Sequence, residues 1–236
     1  MAHEHLYESE FDKYVEHYDE MRKYSTRAGG HSLDYYDEYK IKEIARDLGT
    51  VKCAEPINIL NYGCGIGKSE PYFVKYFPNA KIVSVDVSQK SLDYAKEKLT
   101  QFPQISFHYF DGHSLPCDFK FDIIFISNVF HHIEHEKHNY ILTYLKSSLT
   151  KTGYIYMFEH NPINPLTRKA VVDCVFDENA VLLNPKYAKS IYKNAGYTEV
   201  RIRYTLFLPA VLSSLSFVER YLNFIPIGAQ YYIRAR

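Results

Sequence analysis

Asn61 to Ser69 reads NYGCGIGKS and follows the apolar run INIL; it carries glycine at alternate positions, Gly63, Gly65 and Gly67. Glycine adopts positive φ freely and lets backbone approach a ligand closely, and the N–H groups that open the next helix favour an anion. Two phosphate-binding templates fail on this stretch. A P-loop fits at Gly67, Lys68 and Ser69 but requires glycine where Tyr62 stands. The dinucleotide fingerprint fits at Gly63 and Gly65 but puts its third glycine on Lys68. An ordinary strand-to-helix turn rarely needs three alternating glycines, so a ligand contact is expected here, with Lys68 a solvated helix residue.

Other residues capable of chemistry recur at comparable places. Asp86 ends the apolar run KIVSVD, 23 residues beyond Gly63. That is near the offset of about 20 at which a carboxylate meets a ribose. The competing reading is an acid at a helix start, but Ser88 is already placed to cap. Asp111-Gly112 follows ISFHYF; it is either an acid facing a base edge or a plain Asp-Gly turn. SNVFHHIEHEKH follows FDIIFI and supplies Asn128, His131 and His132, and GYIYMFEH ends on Glu159 and His160. Histidine near neutrality is the usual general base, which makes His131 and His132 the first candidates and His160 with Glu159 the next. One of the paired histidines could equally face the core. His131, His135 and His138 would share a helical face if the helix began early enough, a spacing that could hold zinc. The pattern is not H-E-x-x-H, however, and no metal is expected.

These residues all follow short apolar runs. Strands are predicted at 57–62, 81–87, 105–110, 121–127, 153–160 and 197–207, with a last one in AQYYIRAR; helices are predicted at 69–77, 88–99, 135–149 and 184–196. Such alternation argues for a doubly wound, mostly parallel α/β sheet covered on both faces. Its ligand belongs at the carboxyl ends of the strands, where the candidate residues cluster. Residues 8 to 48 read as two further helices. The second is capped by Ser32 and stopped by Gly49, with Tyr35, Tyr39, Ile41 and Leu48 toward the core. Tyr14, Tyr18, Tyr35, Tyr36 and Tyr39 in these helices form either an aromatic lid or ordinary packing. The loop EHNPINP, with two Asn-Pro steps, reads as a rigid loop beside a pocket.

The 236 residues carry 28 basic and 28 acidic side chains, and 46% are hydrophobic. The composition suits a sizeable core and argues against disorder. No basic stripe points to nucleic acid. Four dispersed cysteines without C-x-x-C fit reduced thiols and a cytoplasmic protein, and the N-terminal residues lack the pattern of a secretory signal. No apolar run reaches the roughly 20 residues of a membrane span. The nearest is Tyr204 to Ile233, interrupted by Pro209 and Pro226. Its middle is read first as a crossover helix packed on the sheet. An acceptor pocket, a dimer face or a peripheral membrane contact through 205–225 are the alternatives.

Taken together, INILNYGCGIG, VSVDVS, FDG and FDIIFISNVFHHI resemble the class I S-adenosylmethionine-dependent methyltransferases in order and spacing, over about residues 34 to 236. EHNPINPLT, CVFDENAVLL and PIGAQYY also look like segments of a bacterial subgroup of such enzymes. The resemblance implies a Rossmann-like seven-stranded sheet with an antiparallel last strand. It also implies a single domain comprising an N-terminal helical cap over 1–50, a cofactor-binding core over 56–165 and C-terminal helices and strands over 166–236. It implies S-adenosylmethionine as cofactor and S-adenosylhomocysteine as product. Gly63, Cys64 and Gly65 would lie against the methionine part and Asp86 on the ribose. Val87 would flank the adenine, Asp111 and Gly112 would meet its edge, and Asn128 would lie near the methionine moiety. The family often has an acid where Asn61 stands, which puts the contact to the cofactor's amino group in doubt. The expected activity is methyl transfer to an O or N atom of a small molecule, such as a sugar or biosynthetic intermediate, by a monomer or homodimer. A fold that binds the cofactor without catalysis, or an NAD-dependent oxidoreductase, are the competing functions.

Overall fold

A computed structural model of the protein describes residues 12, 15, 17–27, 29–112, 114–174 and 177–236. Tyr14 and part of CVFDENAVLL lie outside them. Seven strands form one sheet: β1 (Asn58–Tyr62), β2 (Lys81–Asp86), β3 (Ile105–Tyr109), β4 (Phe121–Ser127), β5 (Leu149–His160), β6 (Val200–Thr205) and β7 (Gln230–Ala235). Their order is β3-β2-β1-β4-β5-β7-β6. The first five pair in parallel, and β7 runs antiparallel to both β5 and β6. The strand order reverses between β1 and β4, so their carboxyl ends frame the crevice expected of a doubly wound sheet.

Both faces of the sheet are buried because strand side chains alternate. Ile59, Ile123, Phe125 and Phe158 join one apolar cluster with Ile41, Ile44, Phe73 and Phe77. Their neighbours Leu60, Ile124, Ile126 and Met157 join the other, with Leu142, Leu145, Ile191 and Tyr192. The helices α2 (Leu33–Ala54) and α3 (Glu70–Tyr76) cover the first face, and α5 (His135–Ser147) and α7 (Pro185–Asn194) the second. Also present are α1 (Tyr18–Thr26), α4 (Gln89–Lys98), α6 (Pro165–Val172) and the short α8 (Glu219–Leu222).

Local chemistry sets the element ends. Ser32 and Ser88 accept from the backbone N–H of Tyr35 and Ser91 as N-caps. Gly49, expected to stop α2, does interrupt it at φ 81°, and a second helical stretch follows to Ala54. Tyr39 and Ile41 are buried as expected, whereas Leu48 packs only partly. The two Asn-Pro steps have separate roles after β5. Asn164 caps α6, with Pro165 in its first turn, because proline is tolerated where the N–H has no helical partner. Buried Asn161 does the stapling, donating to the carbonyls of Pro226 and Gly228.

The apolar stretch between β6 and β7 departs from its first reading. Ala210–Val218 forms a 3₁₀ segment and continues into α8, and no residue of either is buried. Val211, Phe217, Tyr221 and Phe224 are exposed, so the stretch does not pack on the sheet. The irregular φ/ψ of Leu212 interrupts the single amphipathic helix that the spacing of Leu212, Leu215, Val218 and Leu222 suggested. Among the described residues no helix is long and apolar enough to cross a membrane.

Candidate active site

A cavity of about 640 Å³ opens at the carboxyl ends of β1, β2 and β4. The glycine loop forms its floor. Gly63 and Cys64 donate to the Val85 carbonyl (2.8 and 3.0 Å), which clamps the loop to β2. The three glycines have different reasons to be glycine. A Cβ on Gly63 would fall 2.4 Å from Val129 Cγ2, and one on Gly67 2.8 Å from Leu99 Cδ1, whereas one on Gly65 would meet no atom within 4 Å. Gly63 and Gly67 are therefore small for packing. Gly65, at φ 53°, presents bare backbone to open space, a cradle that a side chain would fill.

Asp86 stands at the end of β2, lines the cavity and accepts from Gly65 N (2.7 Å) and Ser88 N (2.9 Å). Burial raises its pKa in spite of those N–H groups. Each carboxylate oxygen has lone pairs beyond the one it uses, so the residue can still receive a diol. Val87, half exposed, and Phe110 line the same end. Asp111 and Gly112 follow Phe110 but are not among the residues lining the cavity, and Asp111 is exposed.

The middle of the cavity holds amides and a lysine. Asn128 is strained at φ 55°, and its side-chain Oδ1 is buried without a hydrogen-bond partner. Such an acceptor calls for a donor from a ligand. Asn61 turns its amide N–H₂ onto Glu70 Oε1 (2.7 Å), which also accepts from Ser84 Oγ (2.7 Å). Burial pushes Glu70 up to about 7 against these bonds. Lys40, on α2, reaches Ser127 Oγ with its Nζ (2.6 Å). Burial lowers its amine to about 8, opposed by Asp37.

The far wall is built of histidines around one carboxylate. His132, His160 and Asp177 line the cavity. His131 lies behind them at 1% exposure, its Nδ1 2.5 Å from Glu159 Oε2. Glu159 is fully buried and takes Phe130 N–H on its other oxygen (2.9 Å). Around Asp177 stand His131 Nε2 at 3.3 Å, His132 Nε2 at 3.5 Å and His160 Nε2 at 3.8 Å. Burial opposes charge on His131, yet Glu159 and Asp177 raise it to about 10. Burial drives His160 down to about 4. The Asp177 carboxyl is held far below its usual range by His131 and His132, which override burial.

The sequence-derived candidates separate accordingly. Gly65, Asp86, Val87, Asn128, His132 and His160 face the cavity, as do Gly63 and Cys64; His131 and Glu159 stand behind. The helical histidine face does not exist. Phe130–His132 is a separate 3₁₀ turn ended by extended Ile133, and His138 is buried against the carbonyls of Phe130 and Ile133. Of the tyrosines, Tyr18 and Tyr36 line the cavity while Tyr39 is buried. Lys68 is no solvated helix residue: it precedes α3 and pairs with Asp19 on α1 (2.6 Å), tying the glycine loop to the N-terminal helix. Asp177, Lys40 and Glu70 escaped the sequence reading because no spacing links them to the strand ends.

Comparison with known proteins relates the chain to methyltransferases. A family model described as a methyltransferase domain matches residues 59–153. Malonyl-[acyl-carrier protein] O-methyltransferase 2 of Ilyobacter polytropus is 30% identical over 124 residues, 51% of this chain and 47% of that protein. Trans-aconitate 2-methyltransferase of Methylobacterium nodulans is 31% identical over 121 residues, 51% of this chain and 45% of that protein. The chain thus spans less than half the length of these relatives. A Thermotoga maritima S-adenosylmethionine-dependent methyltransferase, described as a possible histamine N-methyltransferase, superposes with a TM-score of 0.63 at 18% identity, covering 95% of this chain and 96% of that one. Residues 59–153 thus match a methyltransferase domain, within a fold shared with S-adenosylmethionine-dependent methyltransferases.

Proposed function

We propose that the protein transfers a methyl group to an oxygen or nitrogen of a small-molecule acceptor bound between the glycine loop and the histidine wall. The observation that carries this reading is the single cavity running from Gly65 and Asp86 to His132, His160 and Asp177. When bound, S-adenosylmethionine supplies an electrophilic methyl on a sulfonium, whose sulfur leaves as a neutral thioether. Two features favour that cofactor: the cradle at Gly65 and the unpartnered Asn128 Oδ1. Asp86 would hold the ribose hydroxyls, Val87 and Phe110 would flank the base, and Asn128 and Asn61 would meet the amino-acid end. Asp111 and Gly112 remain candidates for the base edge.

The chain's own work is orientation and proton handling. His132 would take the proton that a hydroxyl or amine acceptor loses as its lone pair attacks the methyl carbon. Asp177, 3.5 Å from His132 Nε2, would stabilise the imidazolium that forms. A second reading is favoured by Lys40, a buried amine facing the cavity. It suits an acceptor that bears a carboxylate, in keeping with the acids named in the two relatives. A carboxylate that accepts the methyl loses no proton, so His132 would then be dispensable.

Methyl-labelled S-adenosylmethionine offered with panels of hydroxy acids, amines and sugars separates the readings. Label appearing on an acceptor, and lost in His132→Ala, supports base catalysis. Label transfer that survives in His132→Ala but falls in Lys40→Met supports the carboxylate acceptor. Cofactor binding with no label transfer to any panel member would favour a protein that binds without catalysis.

A further inference from the structure

We propose that His131, His160 and Asp177 form a binding site for a zinc-class divalent cation at the acceptor end of the cavity. One candidate donor atom from each lies within 4.8 Å of the others. Metal bonds of about 2.0–2.1 Å at tetrahedral angles set neighbouring donors about 3.3–3.4 Å apart. Asp177 Oδ1 lies 3.3 Å from His131 Nε2 and its Oδ2 lies 3.8 Å from His160 Nε2, so the carboxylate sits between the two imidazoles and a rotation would set one oxygen beside both. Imidazole with one carboxylate suits zinc and its neighbours better than magnesium or calcium.

The independent observation is His131 Nε2. The residue is 1% exposed, and this nitrogen is buried without a hydrogen-bond partner. Asp177 Oδ1 lies 3.3 Å away. Glu159 fixes the ring: its carboxylate faces Nδ1 at 2.5 Å, which leaves Nε2 as the nitrogen turned toward Asp177. Positive charge is required between that nitrogen and the carboxylate, and a metal ion can supply it in place of a proton. Glu159, fully buried, and Asp177, which lines the cavity, both call for positive charge nearby. A single proton on Nε2 would serve one pair only; a metal ion would serve His131, His160 and Asp177 at once.

The surroundings complete the pattern. Glu159, anchored by Phe130 N–H, is the outer carboxylate that orients a ligating histidine. Three protein ligands leave a coordination position open toward the cavity, the arrangement of a reactive rather than a structural site. That position can take an acceptor oxygen, lowering the pKa of a hydroxyl beside His132. This last role rests on the methyl-transfer reading; the metal site itself does not.

The test uses the full chain, stripped with chelator and titrated separately with Zn²⁺, Co²⁺ and S-adenosylhomocysteine. The expected result is one Zn²⁺ per chain and a Co²⁺ complex with visible d–d absorption. Asp177→Ala and His160→Ala should lose both signals, and Glu159→Gln should weaken Zn²⁺ affinity about tenfold or more. His135→Ala, on the exposed start of α5, should leave the metal affinity unchanged. Retained S-adenosylhomocysteine binding shows that a variant is folded. No stoichiometric metal uptake by the parent chain, or uptake indifferent to Asp177→Ala and His160→Ala, overturns the proposal and leaves His131 a protonated strut. Metal uptake without S-adenosylhomocysteine binding would instead overturn the cofactor assignment alone.

Discussion

Asn61 gives its amide N–H₂ to Glu70 Oε1 at 2.7 Å, with both residues buried. The acid that the family resemblance wanted at the end of β1 is therefore present one layer back, at the start of α3. The amide's N–H₂ is spent on Glu70, which leaves its oxygen for the cavity, and a carboxyl group stands behind it.

Glu70 makes stability depend on pH. Its folded pKa lies near 7, above the 4.5 of an exposed glutamate, so the folded chain holds the proton more tightly. Folding stability should be highest below pH 4.5 as far as this group is concerned, and should fall by about 3 kcal/mol as pH rises toward 7. Urea unfolding at pH 5 and pH 8 checks this. Glu70→Gln should flatten that slope, and an unchanged slope would place the titration elsewhere.

The glycines should respond in two different ways. Gly63→Ala and Gly67→Ala force a Cβ into Val129 or Leu99 and should cost about 1–3 kcal/mol of stability. Gly65→Ala meets only open space and carries about 1–2 kcal/mol of strain from its positive φ. It should fold, with a far greater loss in S-adenosylhomocysteine affinity than in melting temperature. Parallel calorimetry and thermal melts separate the two effects.

Lys40 costs stability near neutral pH. Its folded pKa of about 8 lies below the 10.5 of an exposed lysine, so holding the charge at pH 7 costs about 3 kcal/mol. The sign is opposite to that of an unburied pair: stability from this group rises as pH climbs from 8 to 10.5. Lys40→Met should raise the melting temperature at pH 7. With an anionic acceptor it should also raise KM, and the parent's KM should rise above pH 8 as the amine loses its proton.

The strand ends and the places where candidate residues cluster were legible because each rests on local sequence. Apolar runs of the right length, Gly-rich turns, and Asp86 at a fixed offset from Gly63 need no tertiary information. The acceptor side was not legible, since it depends on distant segments brought together. Asp177 is 46 residues beyond His131, and only the fold reveals that three imidazoles converge on it. The histidine face at 131, 135 and 138 failed for a local reason, the extended Ile133 between two helical turns. The middle of the stretch between β6 and β7 was misread because an apolar composition suggests burial, while its 3₁₀ geometry and the break at Leu212 leave it exposed.

That exposure is itself testable. Val211→Ser and Phe217→Ser replace side chains 88% and 61% exposed, and each should change stability by no more than about 0.5 kcal/mol. A loss of several kcal/mol would restore the packed-helix reading.

Asp86→Ala should weaken S-adenosylhomocysteine binding by about 10- to 100-fold through the lost charge-assisted bonds to the ribose. The most direct measurement is calorimetric titration of the full chain with S-adenosylhomocysteine, NAD and ATP in parallel, repeated on Asp86→Ala. Binding of S-adenosylhomocysteine alone, weakened in the variant, is the predicted result. Preference for NAD or ATP, or an Asp86→Ala chain that binds as well as the parent, would contradict the account.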